Sequence, residues 1–383
     1  MSLRWRTFLL SNCIFCLPFT GMAKDVERKR EEAFKLEANY TADNTYNFNG
    51  GIESGYAYLG MAQFCLGFDT EKAGWWNGGT FYLHATSTHG DSPSADLIGD
   101  VQVASNIEAG DHTFFQEFWF SQKLGQFEIT AGLQDLNVEY ANTEYAGEYL
   151  NSSFGIPPTI SCNLPAPIFP LTALGASVKW SANDRFTVMA ALYEGCSTGF
   201  DANPHNLKWN LDSKEGLLAI SEVQLPVTLS GNLDGTYKMG FYHYFPSSGN
   251  GNTPAQQSKS IGYYFLGDQT LYQAEGHNRS LGFFTQLGIA PTKDNPVSFY
   301  IGTGINYYGV FNKDGDDVLG LAIAHAHMGV IKLDETAIEL TYKCNVTNNI
   351  YLQPDFQYIV HPAGTDVELP AAKVGMIRLG ITF

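Results

Sequence analysis

From residue 34 the chain alternates with a period of two. Phe34, Leu36, Ala38, Tyr40 and Ala42 are apolar or aromatic, and Lys35, Glu37, Asn39, Thr41 and Asp43 between them are polar. A strand turns successive side chains to opposite faces, so this segment has one apolar and one wet face. The pattern recurs to the last residue. Phe114, Phe118 and Phe120 oppose Glu117, Trp119 and Ser121. Leu174, Ala176 and Val178 oppose Ser177 and Lys179. Ile377, Leu379, Ile381 and Phe383 oppose Arg378, Gly380 and Thr382. The repetition predicts about sixteen antiparallel strands, with 214–274 the hardest stretch to divide.

Connections alternate between short and long. Residues 181–185 read as a tight turn, whereas 88–113, 194–213 and 246–259 are long. The longest non-alternating stretch is 135–172, which holds Pro157, Pro158, Pro165, Pro167 and Pro170. Proline cannot donate to a ladder, so this stretch is not wall, and loops of this length are usually functional or disordered. Its many aromatics argue against disorder.

Residues 1–23 read as a secretory signal. Arg4 and Arg6 precede an apolar run from Phe8 to Pro18, and Gly21-Met22-Ala23 is a small-residue cleavage site. The segment 24–33 then reads as a short periplasmic lead-in, helical or disordered, and 34–383 as one barrel domain. Without the signal, 20 basic side chains face 39 acidic ones, a balance of −19. That excludes nucleic acid as a partner, since phosphates need a basic surface. No long apolar run follows the signal, so helical spans are excluded, and the alternation predicts a closed antiparallel transmembrane β-barrel in an outer membrane. Lipid is then its surroundings. Cys65, Cys162, Cys196 and Cys344 show no metal-ligand spacing, and no cofactor is expected. Cys162 and Cys196 lie in loop-like sequence, and a disulfide between them stays open.

Several long blocks resemble the carbohydrate-selective porin (OprB) family. They are the run Leu66 to Phe81 with its Gly74-Trp75-Trp76-Asn77-Gly78-Gly79 centre, Gly99-Asp100-Val101-Gln102, Ser105-Asn106-Ile107-Glu108 and Gly132-Leu133-Gln134-Asp135-Leu136-Asn137. Asn151 to Pro158, Tyr264 to Gln269, Asn295 to Tyr300 and Asp316 to Leu321 continue the likeness in collinear order. The resemblance implies a sixteen-stranded outer-membrane barrel that passes sugars by diffusion. A homotrimer is the usual porin state, and Phe383 resembles the C-terminal aromatic read by the barrel-assembly machinery. A Trp-Gly-Gly segment before the first strand of many relatives is missing from 25–33, and a constriction built from it is not carried over.

Sugar passage needs hydroxyl partners and flat apolar faces, held at weak affinity. Glu117 and Trp119 share the inner parity of one strand and form an acid-and-ring pair. The competing reading gives Glu117 a basic partner such as Lys179. The 135–172 loop offers Asp135, Asn137, Glu139, Glu144, Tyr145 and Glu148, a carboxylate-rich constriction if it folds into the lumen. Glu108, at the end of an outer loop, is a further candidate. Lys179, Lys238, Lys343 and Arg378 have inward parity and are expected to oppose the acids across the lumen. His84 is expected in the lumen, and His325-Ala326-His327 read as ordinary wall or loop histidines.

Other classes stay on the table. A general diffusion pore would show no preference for sugars. A plugged structural or adhesin barrel would not conduct. A barrel enzyme needs a Ser or Asp array with His, and no candidate array is present. A secreted lectin-like β protein would be soluble without detergent.

Overall fold

A computed structural model describes residues 33–182, 185–195, 198–209, 216–230, 233–246, 259–274, 279–311, 317–330, 332–365 and 367–383. The signal, the lead-in 24–32 and Cys196 lie outside the described residues; Cys162 is a free thiol.

The strands are β1 (Phe34–Asn49), β2 (Gly55–Asp69), β3 (Gly79–Gly90), β4 (His112–Leu124), β5 (Phe127–Gln134), β6 (Ala173–Ala182), β7 (Phe186–Glu194) and β8 (Leu217–Leu229). They continue as β9 (Leu233–Phe245), β10 (Ser260–Gln273), β11 (Ser280–Ile289), β12 (Val297–Tyr308), β13 (Asp317–Met328), β14 (Leu333–Thr347), β15 (Ile350–Val360) and β16 (Ala372–Thr382). Each pairs antiparallel with its sequence neighbours, and β1 pairs with β16, so the sixteen-stranded sheet closes. Closure leaves no unpaired edge, which a hydrocarbon surrounding demands. Across the seam Tyr40 faces Ile381 and Asp43 faces Arg378, and the Phe383 N–H donates to Ala38 O at 2.9 Å.

The alternation sets inside and outside. On β13, Leu319, Leu321 and Ile323 are 39%, 48% and 41% exposed, whereas the alternating Ala322 and Ala324 are 3% and 0%. The exposed set forms an apolar outer band, and the buried set lines the interior.

One strand departs from the expected parity. Glu117 pairs with His84 and Phe115 with Ala85, which leaves Gln116 as an extra residue. This bulge flips the parity beyond it. Phe114, expected on the outer face with Phe118, is instead buried inside against Phe169 and Phe200.

The connections sort by end. Short turns join strands at the end that holds Phe34 and Thr382. The long loops, L2 (91–111), L3 (135–172), L4 (195–216) and L8 (361–371), all lie at the other end. L3 has the bounds that the break in alternation predicted. It folds into the barrel as a chain of single helical turns, and its side chains build the interior with the wall. Tyr149 and Phe154 pack on Phe284, while Leu136, Tyr140 and Ile160 join Tyr193, Tyr242 and Tyr264. Wall glycines make room for it: a Cβ on Gly282 would meet the Tyr145 ring at 2.5 Å, and one on Gly288 would meet Thr159 Oγ1 at 2.2 Å.

The seam carries a buried ion pair. Arg378 Nε and Nη2 donate to Asp43 Oδ1 and Oδ2, both at 2.7 Å, and Nη2 also reaches Asn106 Oδ1 of L2. Asp43→Asn leaves a buried guanidinium without its counter-charge, an expected cost of about 3–5 kcal/mol. The urea midpoint of the folded barrel should fall accordingly, and Asp43→Asn with Arg378→Met should recover most of it. An unchanged midpoint in the single variant would count against the pair as a seam fastener.

Candidate functional site

L3 is held by inward wall carboxylates that accept its backbone N–H groups. Asp268 on β10 takes those of Glu144 and Tyr145 at 2.9 and 3.0 Å. Glu339 on β14 takes Leu150 and Asn151 at 2.6 and 3.0 Å. Glu222 on β8 takes Ala141 at 2.9 Å and the Tyr264 hydroxyl at 2.8 Å. Glu335 on β14 does the same for L2 and L8, accepting from Val101, Gln102 and Ala363. A buried backbone N–H needs an acceptor, and an ionised one makes the stronger bond.

The inward bases serve the same purpose. Lys238 Nζ donates to Asn142 O and Oδ1, Lys343 Nζ meets Glu148 Oε2 at 3.1 Å, and Lys179 Nζ meets Glu139 Oε2 at 3.1 Å. Arg378 binds Asp43 and L2. All four point inward as parity predicted: Lys179 and Lys343 oppose the L3 acids Glu139 and Glu148, Arg378 pairs with its seam neighbour Asp43, and Lys238 alone meets an amide, Asn142, in place of an acid.

These anchors draw L3 toward β8–β15. A cleft open to solvent is left against β4–β7. Its wall side presents Glu117 and Trp119 from β4, Glu128 and Thr130 from β5, Ser177 and Lys179 from β6 and Met189 from β7; L3 presents Asp135, Val138, Glu139 and Tyr140. The Trp119 indole N–H donates to Glu117 Oε1 at 3.2 Å, and its ring stacks on Tyr82 with centroids 4.9 Å apart. Glu117 Oε2 lies 3.6 Å from His84 Nδ1. The basic neighbour of Glu117 is thus His84, in the lumen as expected, while Lys179 is committed to Glu139. Glu128 Oε1 accepts from Ser121 at 2.8 Å. Tyr140 is fully buried at the back of the cleft, and its hydroxyl has no hydrogen-bond partner among the described residues.

Of the sequence candidates, Glu117, Trp119, Asp135, Glu139 and Lys179 meet in this cleft; Asn137, Tyr145, Glu144, Glu108 and Glu148 do not. Asn137 braces L3 internally, donating to Tyr140 O and Gly155 O. Tyr145 is tied to Thr270 on β10 at 2.7 Å. Glu144 is exposed, its N–H on Asp268. Glu108 folds back within L2, accepting from the Ser94 N–H at 3.2 Å, and burial pushes its carboxyl up to about 7. Glu128, Thr130 and Ser177 were missing from the candidate set, although their inward parity was there to find them.

Asp135 is at once cleft lining and loop fastener. Oδ1 caps the helical turn at Asn137 N, and Oδ2 accepts from Phe169 N and Gln116 Nε2, which ties the two ends of L3 together. Burial, with Glu117 nearby, pushes its carboxyl from 3.8 up to about 7. A carboxyl pKa raised by folding favours the folded loop while protonated. That contribution is full below about 3.8 and lost as pH rises through about 7. Hydrogen exchange at Asn137 and Phe169, corrected for intrinsic rate, should therefore show more frequent opening at pH 8 than at pH 5, and Asp135→Asn should flatten the difference. Equal protection at both pH values in the wild type would contradict this.

A sixteen-stranded closed barrel with an apolar outer band, short turns at one end and a loop folded into its lumen is the architecture of a porin. The chain matches the model of the carbohydrate-selective porin, OprB family, over residues 53–383, and it belongs to that family. Porin B of Pseudomonas aeruginosa is 23% identical, over 92% of this chain and 88% of that protein. The high-pH structure of Pseudomonas putida OprB superposes with a TM-score of 0.79 at 21% identity, covering 93% of this chain and 96% of that one. OmpT of Vibrio cholerae, in its trimer form, shares the fold more distantly, with a TM-score of 0.54 at 11% identity over 91% and 99% of the two chains.

Proposed function

We propose that this protein is an outer-membrane channel of a Gram-negative bacterium through which monosaccharides and small oligosaccharides diffuse passively into the periplasm. The carrying observation is the cleft between L3 and β4–β7, where an acid bonded to an indole lies beside a second stacked ring. Rings pack on the C–H faces of a pyranose, and Glu117, Glu128, Thr130 and Ser177 answer its hydroxyls. L3 acts as the constriction. The turn end faces the periplasm and the loop end the exterior, in keeping with the usual arrangement of such barrels. Residues 1–23 direct export, Phe383 is the signal to the assembly machinery, and a homotrimer is the working assembly, in keeping with the porin fold.

Cleft acids outnumber cleft bases, so cations should pass more readily than anions. Refolded protein in liposomes should admit glucose faster than amino acids of similar size. Trp119→Ala should lower glucose entry severalfold and the discrimination with it. Glu117→Gln should shift the reversal potential toward lower cation preference. Equal entry of sugars and size-matched solutes would reduce the protein to a general diffusion pore. No entry through a folded barrel would make it a plugged structural protein.

A further inference from the structure

The His325-Ala326-His327 motif has no part in the cleft. Both rings have the outward parity of Leu321 and Ile323 on β13. His325 Nδ1 bonds Thr336 Oγ1 at 2.8 Å, and His327 Nδ1 bonds Asp334 Oδ1 at 2.5 Å, both partners outward on β14. With Nδ1 so engaged, Nε2 is the ring nitrogen left to meet an outside ligand. Lys332 stands exposed in the adjoining turn between β13 and β14. Lys373 points outward on β16, opposite Tyr358, which in turn faces Ile338 of β14.

The placement is systematic. Among the described strand residues, the outward-facing His, Lys and Arg side chains are His89, His243, His325, His327 and Lys373. Each lies within the last four residues at the loop end of its strand. The turn end is of another kind: there Phe68 packs on Trp75 and Phe81 on Phe120, with no outward base among the described strand residues. A cation facing lipid is tolerated near the interface and costly deeper in, and basic groups gather where headgroups are anionic. Among the described strand residues the outward bases fall at one rim; in the turns, Lys332 lies at this end and Lys72, Arg185 and Arg279 at the other.

We infer that the outward rim of β13 and β14, through His325, His327, Lys332 and, two strands on, Lys373, docks the phosphate groups of a phosphorylated glycolipid of the outer leaflet. Beside the two lysines, the ring Nε2 atoms donate to a phosphate oxygen in the imidazolium form. The inference rests on the loop end facing the cell exterior, and it is independent of which solute the cleft passes.

The test uses the full-length barrel in detergent and native mass spectrometry. The probes are hexa-acylated lipid A with two phosphates, the same lipid dephosphorylated, and phosphatidylglycerol. Bisphosphorylated lipid A should bind at least tenfold more tightly than either of the others. The variant His325→Gln, His327→Gln, Lys332→Gln, Lys373→Gln should lose at least tenfold of that affinity while its glucose entry in liposomes stays at the wild-type rate, which shows that it folds. Equal binding of the phosphorylated and dephosphorylated lipids, equal binding of phosphatidylglycerol, or undiminished binding by the variant would each overturn the proposal. The orientation beneath it is read separately, by antibody access in intact cells to an epitope inserted at Asp201 of L4. A sheltered epitope would remove the orientation, and the proposal with it, whatever the lipid result.

Discussion

The interior of this barrel depends on wall carboxylates that accept backbone N–H groups from inserted loops. L3 has almost no repetitive structure, so its amides cannot satisfy one another along a ladder or a long helix. Inside the barrel they would be left unbonded at a cost of about 1–3 kcal/mol each. Asp268 and Glu339 each take two adjacent amides of L3, Glu222 takes a further one, and Glu335 takes those of L2 and L8. A carboxylate suits this because its two oxygens accept two adjacent donors at once. Part of the chain's excess of acids is thus architectural.

The anchors also decide where the opening lies. They sit on β8, β10 and β14, so L3 is drawn to that side and its aromatic side chains close the space there. The arc left free is β4–β7, which includes the short strands β5, of 8 residues, and β7, of 9, against 16 in β1. Lys179 and Glu139 are the one ion pair between L3 and this arc among the described residues. Their side chains are 36% and 51% exposed, so the contact is weak and solvated. The loop's backbone is thus tethered by carboxylates on β8, β10 and β14, while toward β4–β7 it is held by packing on Tyr193, the Gln116–Asp135 bond and one solvated ion pair.

Much of this was legible in the residues, and the exceptions have definite causes. Period-two alternation gave the strands, their number and their lumen faces, because that period is a local property of an extended chain. The break in that alternation gave the bounds of L3, and its prolines marked it as something other than wall. Phe114 was misplaced because a single extra residue, Gln116, reverses parity without any mark in composition. Glu117 and Trp119 were found together because they share one strand. The roles of Lys238, Lys343 and Arg378 were not legible, since parity states direction but not which loop arrives opposite. Tyr145 and Asn137 looked like free hydroxyl partners for the same reason: their bonds to Thr270, Tyr140 and Gly155 form only once the loop is seated.

The same logic explains how a cleft rich in acids and rings can recognise a solute without trapping it. Conduction needs binding strong enough to draw a solute in and weak enough to release it. Glu117 already accepts from Trp119, and Glu128 from Ser121. A sugar hydroxyl that reaches either carboxylate therefore shares it with a bond already made, so the net gain is a fraction of a full charge-assisted bond. The stacked Tyr82–Trp119 pair adds a flat apolar face with no hydrogen bond to break when the solute moves on. On the proposed reading, pre-paired acids and a flat ring face together would set selectivity by shape and hydroxyl pattern while affinity stays low, the condition under which a passive channel can discriminate and still carry flux.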